Sequence, residues 1–554
     1  MLLRILPVGK SAPVELTGAD ILTQGAALAA QYSKAPESGV TLLLLPHSAE
    51  LFLLHFGLIL EGRLPAILAW PTSRIDPEKY QRNLLHQLRH LPAHEIITLP
   101  RLAGNLAPGL QFPATACAVT GSEQFEKAWS IPIALEVPEM EAAAPACEDT
   151  PEDALFLQFS GGTTGSQKAV VVTATMLAAQ LERLGESLDF SERDGVASWL
   201  PLYHDMGLIA CLWFPLWHGA PSVHLSAGDW LLNPDALFRL IDRYGATFCW
   251  LPNFAFSYMA AQKERMSGTH ALGGMRGWIN CSEPVRLRSF REFAAAFAGW
   301  GVRMESLQAS YAMAENVFAV SQTPLDVTPQ TFPRSRLRQR AAELGETAFQ
   351  LLDDVYVSSG PLLAGMQARV VNAQGAVCGD AEPGDIELRT DCLFTGYWTR
   401  DGFLTTSLSE DGWYRTGDYG FLAGGNLYVV GRLKDIVIVG GQNIFPEDVE
   451  LVVNSVDAVY PGRVVAFGVL DEQYGTEALA VVAEMRGEYD RPLAEAIERR
   501  IQQLVRSTIG IAPRYAAVVP ERWIVKSTAG KISRRDTRER FLQERLGQAN
   551  PAAV

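Results

Sequence analysis

At 554 residues the chain is longer than one hydrophobic core usually organises, and 48% apolar with 20% charged content puts it among globular proteins of two or more domains. A formal net charge of -15 argues against a nucleic-acid surface, which needs a basic face, so a bound nucleotide has to be gripped locally. Cys117, Cys147, Cys211, Cys249, Cys281, Cys378 and Cys392 are scattered, odd in number and form no CxxC pair, which fits a reducing compartment better than a zinc site or a disulfide framework.

In chain order, Met1 to Lys10 has no long apolar region or small-residue cleavage site, so export is not expected. The most apolar stretch, Thr41 to Leu60, is broken by Pro46, His47, Glu50 and His55 and falls short of the roughly 20 clean residues of a membrane span. The expectation is a cytoplasmic protein with no stable membrane insertion. From about residue 15 to 320, apolar runs alternate with helical patterns, as in Val40 to Leu45 followed by Ala49 to Leu60. That rhythm predicts an α/β architecture with strands buried on both faces. Ala142 to Asp153 reads as a surface connection.

Next come Leu155 to Phe159, the loop Ser160-Gly161-Gly162-Thr163-Thr164-Gly165-Ser166-Gln167-Lys168, and Ala169 to Thr173. Glycines for close backbone approach, hydroxyl donors and a terminal Lys suit the oxygens of a polyphosphate. Both flanks are short, apolar and rich in β-branched or aromatic residues, so the loop joins strand to strand. A Walker-type loop opens a helix and ends Gly-Lys-Ser/Thr, whereas here Gln167 precedes Lys168 and Ala169 follows it. A plain hairpin turn remains the alternative.

Tyr311-Ala312-Met313-Ala314-Glu315 offers an aromatic face for a base and a carboxylate for Mg²⁺, or else a surface pair on a helix. Gln322 to Glu346 carries Pro324, Pro329 and Pro333 and then Arg334, Arg336, Arg338 and Arg340, which reads as an inserted surface element with a basic patch. Tyr414-Arg415-Thr416-Gly417-Asp418 presents an Asp able to accept from two vicinal hydroxyls, or an Asp-capped turn. Gly431-Arg432-Leu433-Lys434-Asp435 packs three charges between apolar strands, at a hinge, a nucleotide or a solvated turn. A smaller α+β unit follows, with a helix over Leu493 to Ile509 that puts Ile497, Ile501 and Leu504 on one face. Val525 to Arg534 holds Gly530-Lys531 on what is, taken alone, a basic loop.

Together and in this order, the five segments resemble the adenylate-forming superfamily of acyl-CoA synthetases, luciferases and peptide-synthetase adenylation domains, over about residues 20 to 540. Trp199-Leu200-Pro201-Leu202-Tyr203-His204-Asp205-Met206-Gly207, Leu251-Pro252-Asn253-Phe254 and Ala312 look like the fatty acyl-AMP ligases within it, a branch with an insertion where Gln322 to Glu346 stands.

The resemblance implies a large multi-sheet N-terminal α/β domain, residues 1–433, and a small mobile α+β C-terminal domain, residues 434–554, that carries Lys531 and swings about Lys434. It implies that Ser160, Gly162, Thr163, Thr164, Gly165 and Lys168 wrap the ATP phosphates, Glu315 holds Mg²⁺, Tyr311 stacks on adenine and Asp418 with Arg432 holds the ribose. Lys531 would reach the bridging oxygen between the substrate carboxylate and the α-phosphate, while His204, Trp230 and Asn253 line the acyl tunnel. Preplaced cations suit the reaction, because a carboxylate attacking a phosphate brings two anions together.

The expected activity is ATP-dependent activation of a fatty acid to acyl-adenylate, then transfer to the phosphopantetheine thiol of a separate holo acyl carrier protein. Some positions depart from the family pattern: Gly161 stands for Ser, Gln167 for Pro, Ala312 for Gly and Val525 for Pro. Gly440-Gly441-Gln442-Asn443 is nearer the acyl-CoA synthetase form, which keeps CoA as the alternative acceptor. An inactive nucleotide- or acyl-binding module is the alternative from another class.

Overall fold

The computed structural model describes residues 2–9, 12–70, 80–81, 84–85, 87–88, 91, 93–106, 110, 112–119, 153–159, 168–334, 355–399, 402–406, 408–439, 442–471, 476–526 and 532–547. The architecture is the mixed α/β one the sequence predicts. Among the described residues two eight-stranded sheets dominate. One runs from Ala319–Gln322 through Leu307–Ala312, Gly277–Asn280, Phe248–Leu251, Val196–Ser198 and Ser222–His224 to Leu2–Ile5 and Val14–Thr17. The other runs from Gly402–Thr405 through Gly396–Thr399, Ala169–Thr173, Ala154–Phe159, Leu64–Ile67 and Val40–Leu44 to Ala93–Thr98 and Ala114–Ala116. Their central strands pair in parallel and are apolar on both faces, as in Val40–Leu44, where all five residues are buried.

Helices Gly18–Tyr32 and Ala49–Leu60 pack against each other within the principal core, and two glycines set how closely. A Cβ on Gly57 would stand 2.0 Å from the Gly25 carbonyl oxygen, so the backbones themselves touch. Thr17 caps the first helix with a full capping box, and Ser48 caps the second by accepting from Leu51 N–H.

Strands Ala154–Phe159 and Ala169–Thr173 are an antiparallel pair, so the Ser160–Gln167 segment joins strand to strand, although those eight residues lie outside the described ones. Thr173 ends the second strand and caps helix Ala174–Ser187 through the Met176 N–H. A four-stranded sheet follows, ordered Gln367–Val371, Gly384–Arg389, Tyr414–Ala423, Asn426–Arg432.

The C-terminal part has its own apolar clusters, built from strands Val459–Asp471, Thr476–Met485 and Tyr515–Val519 with helices Pro446–Asn454, Arg491–Ile509 and Arg534–Leu546. Helix Arg491–Ile509 begins two residues before the expected Leu493 because Asp490 caps it and a proline sits in its first turn. It ends at Gly510, which takes φ 89°. Ile497 and Ile501 are buried as expected, with Leu504 packed beside them.

The segment read as a surface insertion needs a correction. Thr331–Pro333 pairs with Val355–Val357, and Arg334 is only 7% exposed, stacked over the Tyr356 ring and paired with Asp448. Its charge is buried because a carboxylate from the C-terminal part neutralises it. Residues 335–346, including Arg336, Arg338 and Arg340, lie outside the described residues. Among the described residues no helix is long and apolar enough to cross a membrane.

Candidate functional site

Strand Gly396–Thr399 pairs antiparallel with Ala169–Thr173, Tyr397 opposite Val170 and Trp398 opposite Ala169. That register carries Tyr397 to the end of the glycine-rich loop, where the Lys168 ammonium sits 4.5 Å from its ring centroid. The Tyr397 hydroxyl donates to Glu315 Oε1 at 3.1 Å. Lys168 and Glu315, from segments far apart in sequence, therefore meet across one aromatic ring.

Glu315 lies in the 3₁₀ turn Ala314–Asn316, while Tyr311 belongs to the strand Leu307–Ala312 before it, so the two do not form a helical pair. Burial pushes the Glu315 pKa up, the Tyr397 hydroxyl and Arg432 pull it down, and the Asp205 carboxylate adds to the rise. The turn that follows is strained. Val317 has φ 61° and ψ -54°, and Phe318 N–H donates to Asn316 C=O at 2.6 Å, a γ-turn centred on a β-branched residue. Such a conformation costs about 1–3 kcal/mol and persists where its surroundings over-determine it.

The second half of the site hangs on Asp418. Strands Tyr414–Ala423 and Asn426–Arg432 place Asp418 directly opposite Arg432, whose Nε lies 3.2 Å from Asp418 Oδ1. The Tyr311 hydroxyl donates to Asp418 Oδ2 at 2.5 Å. Burial raises the Asp418 pKa against the pull of Arg432 and then Tyr311. Gly417 takes φ 74° just before it, where a side chain would be strained, and Thr416 Oγ1 accepts from Asp418 N–H at 3.0 Å. Arg432 acts electrostatically on both Asp418 and Glu315, so the two halves share one field.

Trp230 stacks flat on Trp199, centroids 3.8 Å apart and planes 1° from parallel, and Phe254 meets both edge-on at 6.2 Å. His204 lies against the Tyr203 ring, and its carbonyl accepts from Leu208 N–H at the start of the π-helix Met206–Trp213. The Asn253 amide ties three segments together. Its Nδ2 donates to Ser289 Oγ at 3.2 Å, and its Oδ1 accepts from Asn280 Nδ2 at 3.0 Å and Arg286 N–H at 3.1 Å.

Lys434 is exposed in the 3₁₀ turn Leu433–Asp435. The next residue, Asp435, pairs with Arg534 at 2.9 Å, and that guanidinium also holds Glu447 at 3.1 Å and Glu450 at 2.9 Å. Burial pushes Glu450 up to about 7, although Arg534 opposes it. Ser160, Gly162, Thr163, Thr164, Gly165 and Lys531 lie outside the described residues. The base of the Lys531 loop is closed by the pairing of Lys526 with Ile532 and by Ser533 N–H donating to Val525 C=O at 2.8 Å.

Two features escaped the sequence reading. Tyr397 carries no motif of its own, since only the strand register brings it to Lys168. Asp448 sits between Arg286, at 3.6 Å, and Arg334, a link between the C-terminal part and the larger one.

With this geometry in place, the relatives are informative. The AMP-binding enzyme family matches residues 26–398. FadD30 of Mycobacterium tuberculosis, named a probable long-chain-fatty-acid–AMP ligase, is 31% identical over 412 residues, covering 68% of each chain. JamA of Moorena producens, a medium-chain-fatty-acid–[acyl-carrier-protein] ligase, is 27% identical over 535 residues, 92% of this chain and 86% of its own. A structure from a study of fatty acyl-adenylate ligases from E. coli and L. pneumophila superposes with a TM-score of 0.80 at 20% identity, over 99% of this chain and 96% of that one. The chain belongs to the AMP-binding enzyme family, the adenylate-forming superfamily its motifs resemble.

Proposed function

We propose that the protein is a ligase that activates a fatty acid with ATP as the acyl-adenylate and passes the acyl group to the phosphopantetheine thiol of a separate acyl carrier protein. The observation that carries this reading is the convergence of Lys168, Tyr397 and Glu315 with Tyr311, Asp418 and Arg432. The similarity to FadD30 and JamA supports the fatty-acid substrate, and JamA supports the carrier.

In the first step a carboxylate oxygen of the fatty acid attacks the α-phosphorus, the bond to the β-phosphate oxygen breaks, and pyrophosphate leaves. In the second, the carrier thiolate attacks the acyl carbonyl carbon and AMP leaves. Lys168, with Ser160, Gly162, Thr163, Thr164 and Gly165, holds the phosphates. Tyr311 packs on the adenine, and Asp418 with Arg432 accepts and orients the ribose hydroxyls. Lys531 neutralises charge at the bridging oxygen. Trp230, Trp199 and His204 wall the acyl chain, and Asn253 keeps that wall in place.

Glu315 fits a magnesium ion. Its carboxylate carries one hydroxyl donor, no ion pair among the described residues, and the field of Asp205, and Mg²⁺ takes one or two carboxylates with phosphate oxygens. When bound, the ion neutralises charge on the departing pyrophosphate. Residues 1–433 form the ATP- and acyl-binding body and residues 434–554 the lid that turns about Lys434, a division supported by the separate apolar clusters of the C-terminal part.

The deciding assay supplies fatty acid and ATP with either free CoA or a holo carrier protein and measures the thioester. Product with the carrier and little with CoA is expected, and efficient acylation of CoA overturns the choice of acceptor. Lys531→Ala should slow adenylation on the order of 10²- to 10³-fold, with ATP binding kept.

A further inference from the structure

Gln158 belongs to none of the family motifs discussed above. It is a polar residue in the apolar strand Ala154–Phe159, only 2% exposed, one position before the strand ends. Its Nε2 donates to Val317 C=O at 3.0 Å, across 159 positions of sequence. Its Oε1 is buried with no partner among the described residues. A half-satisfied amide is a poor choice for stability, because burying polar atoms costs unless every one is bonded. An aliphatic side chain would serve a purely structural strand better.

What the amide holds is the γ-turn at Val317, itself fully buried. Asn316 Nδ2 binds Ala319 C=O at 3.0 Å, and Phe394 N–H binds Glu315 C=O at 2.8 Å. The Glu315 turn is thus gripped from the strand after it, from the segment leading to Tyr397 and, through Gln158, from the strand leading to Lys168. A left-handed valine relaxes when a restraint is lost, and Glu315 lies two residues away.

We propose that Gln158 is a positioning residue for adenylation: by fixing the Val317 carbonyl it locks the strained turn that sets the Glu315 carboxylate beside Tyr397 and Lys168. The inference rests on the reading of Glu315 given above and deepens it. Gln158 touches no reacting atom. It acts through backbone placement, where a displacement of about 1 Å can cost up to 10²-fold in rate.

The test uses full-length Gln158→Met. In the ligand-free protein, hydrogen exchange at the amides of residues 316–318 should quicken by about tenfold while the rest of strand Ala154–Phe159 stays protected. In pyrophosphate exchange, kcat should fall by about ten- to hundredfold and the Mg²⁺ concentration for half-maximal rate should rise, with KM for the fatty acid unchanged. Adding Val317→Gly should restore much of both, because glycine takes positive φ without strain and no longer needs the strap.

Wild-type kcat and Mg²⁺ requirement in Gln158→Met overturn the proposal. So does a loss that tracks a general rise in exchange across the protein and is not recovered by Val317→Gly. Glu315→Gln, measured in parallel, separates the two levels. If it leaves the Mg²⁺ requirement unchanged, the reading of Glu315 itself fails. If it shifts that requirement and Gln158→Met does not, the strap alone fails.

Discussion

The hydroxyl of Tyr311 donates to the carboxylate of Asp418 at 2.5 Å, joining residues 107 positions apart in the interior of the site. Arg432 holds the other carboxylate oxygen and, with Tyr311, pulls the Asp418 pKa down against burial, which raises it. Tyr311→Phe keeps the ring and removes one charge-assisted bond worth about 1.5–3 kcal/mol. KM for ATP should rise by about tenfold or more, since 1.4 kcal/mol is a factor of ten. The sign of the pH effect follows from the same bond. Tyr311 pulls the Asp418 pKa down, so its loss moves the acid limb of kcat/KM to higher pH. Steady-state kinetics across pH measure both, and an unchanged KM and acid limb would remove Tyr311 from the proposed ribose site.

Asp448 is 3% exposed and faces two guanidiniums from the larger part of the molecule, Arg286 and Arg334. Asp448→Ala leaves the buried Arg334 and the half-buried Arg286 without this partner, and removing one side of a buried pair costs about 3–5 kcal/mol. A lowered melting temperature and faster protease cleavage between the two parts are expected. Asp448→Glu, which keeps the charge, should lie between the two. A melting temperature unchanged in Asp448→Ala would mean that the pair contributes nothing to docking.

Three histidines, His55 and His224 buried and His47 half-buried, predict the acid limit of stability. Burial lowers His47 to about 4 and His55 and His224 to about 3, and the Nε2 of His47 and the Nδ1 of His55 and His224 have no partner among the described residues. Trp213 Nε1 donates to His55 Nε2 at 3.1 Å, so His55 carries its proton on Nδ1. Folded pKa values below the unfolded 6.5 mean that the stabilisation is complete above about 6.5 and is lost as pH falls toward the folded values. His224→Phe should flatten the dependence of unfolding free energy on pH by up to about 1.4 kcal/mol per pH unit between about 4 and 6. Denaturant unfolding at several pH values measures the slope, and an unaltered slope would place the proton uptake elsewhere.

Much of the fold was legible because its signals are local. Strands Ala154–Phe159 and Ala169–Thr173 announce themselves by apolar, β-branched flanks, and helix Arg491–Ile509 by a stripe at helical spacing. The resemblance put Asp418 and Arg432 on one expected ribose, while their ion pair comes from the strand register that sets them opposite each other. Tyr397 was not legible, because its importance comes from a strand register set far along the chain. Arg334 misled for a related reason. A cation in a proline-rich stretch reads as solvated, and only Asp448, more than a hundred residues on, makes burial tolerable. The four-residue spacing of Tyr311 and Glu315 suggested a helix face as one alternative, yet a strand and a 3₁₀ turn bring the two to one site.

The clamp at Arg534 has a mechanical corollary for the junction. Asp435 is welded to the C-terminal part by Arg534, and Arg432 is anchored to the body by Asp418 and by the strand pairing opposite it. Leu433 and Lys434 are all that lies between the two anchors. On the proposed hinge at Lys434, a reorientation that leaves both ion pairs intact is funnelled through the torsions from ψ of Arg432 to φ of Asp435, a span too short to act as a loose tether.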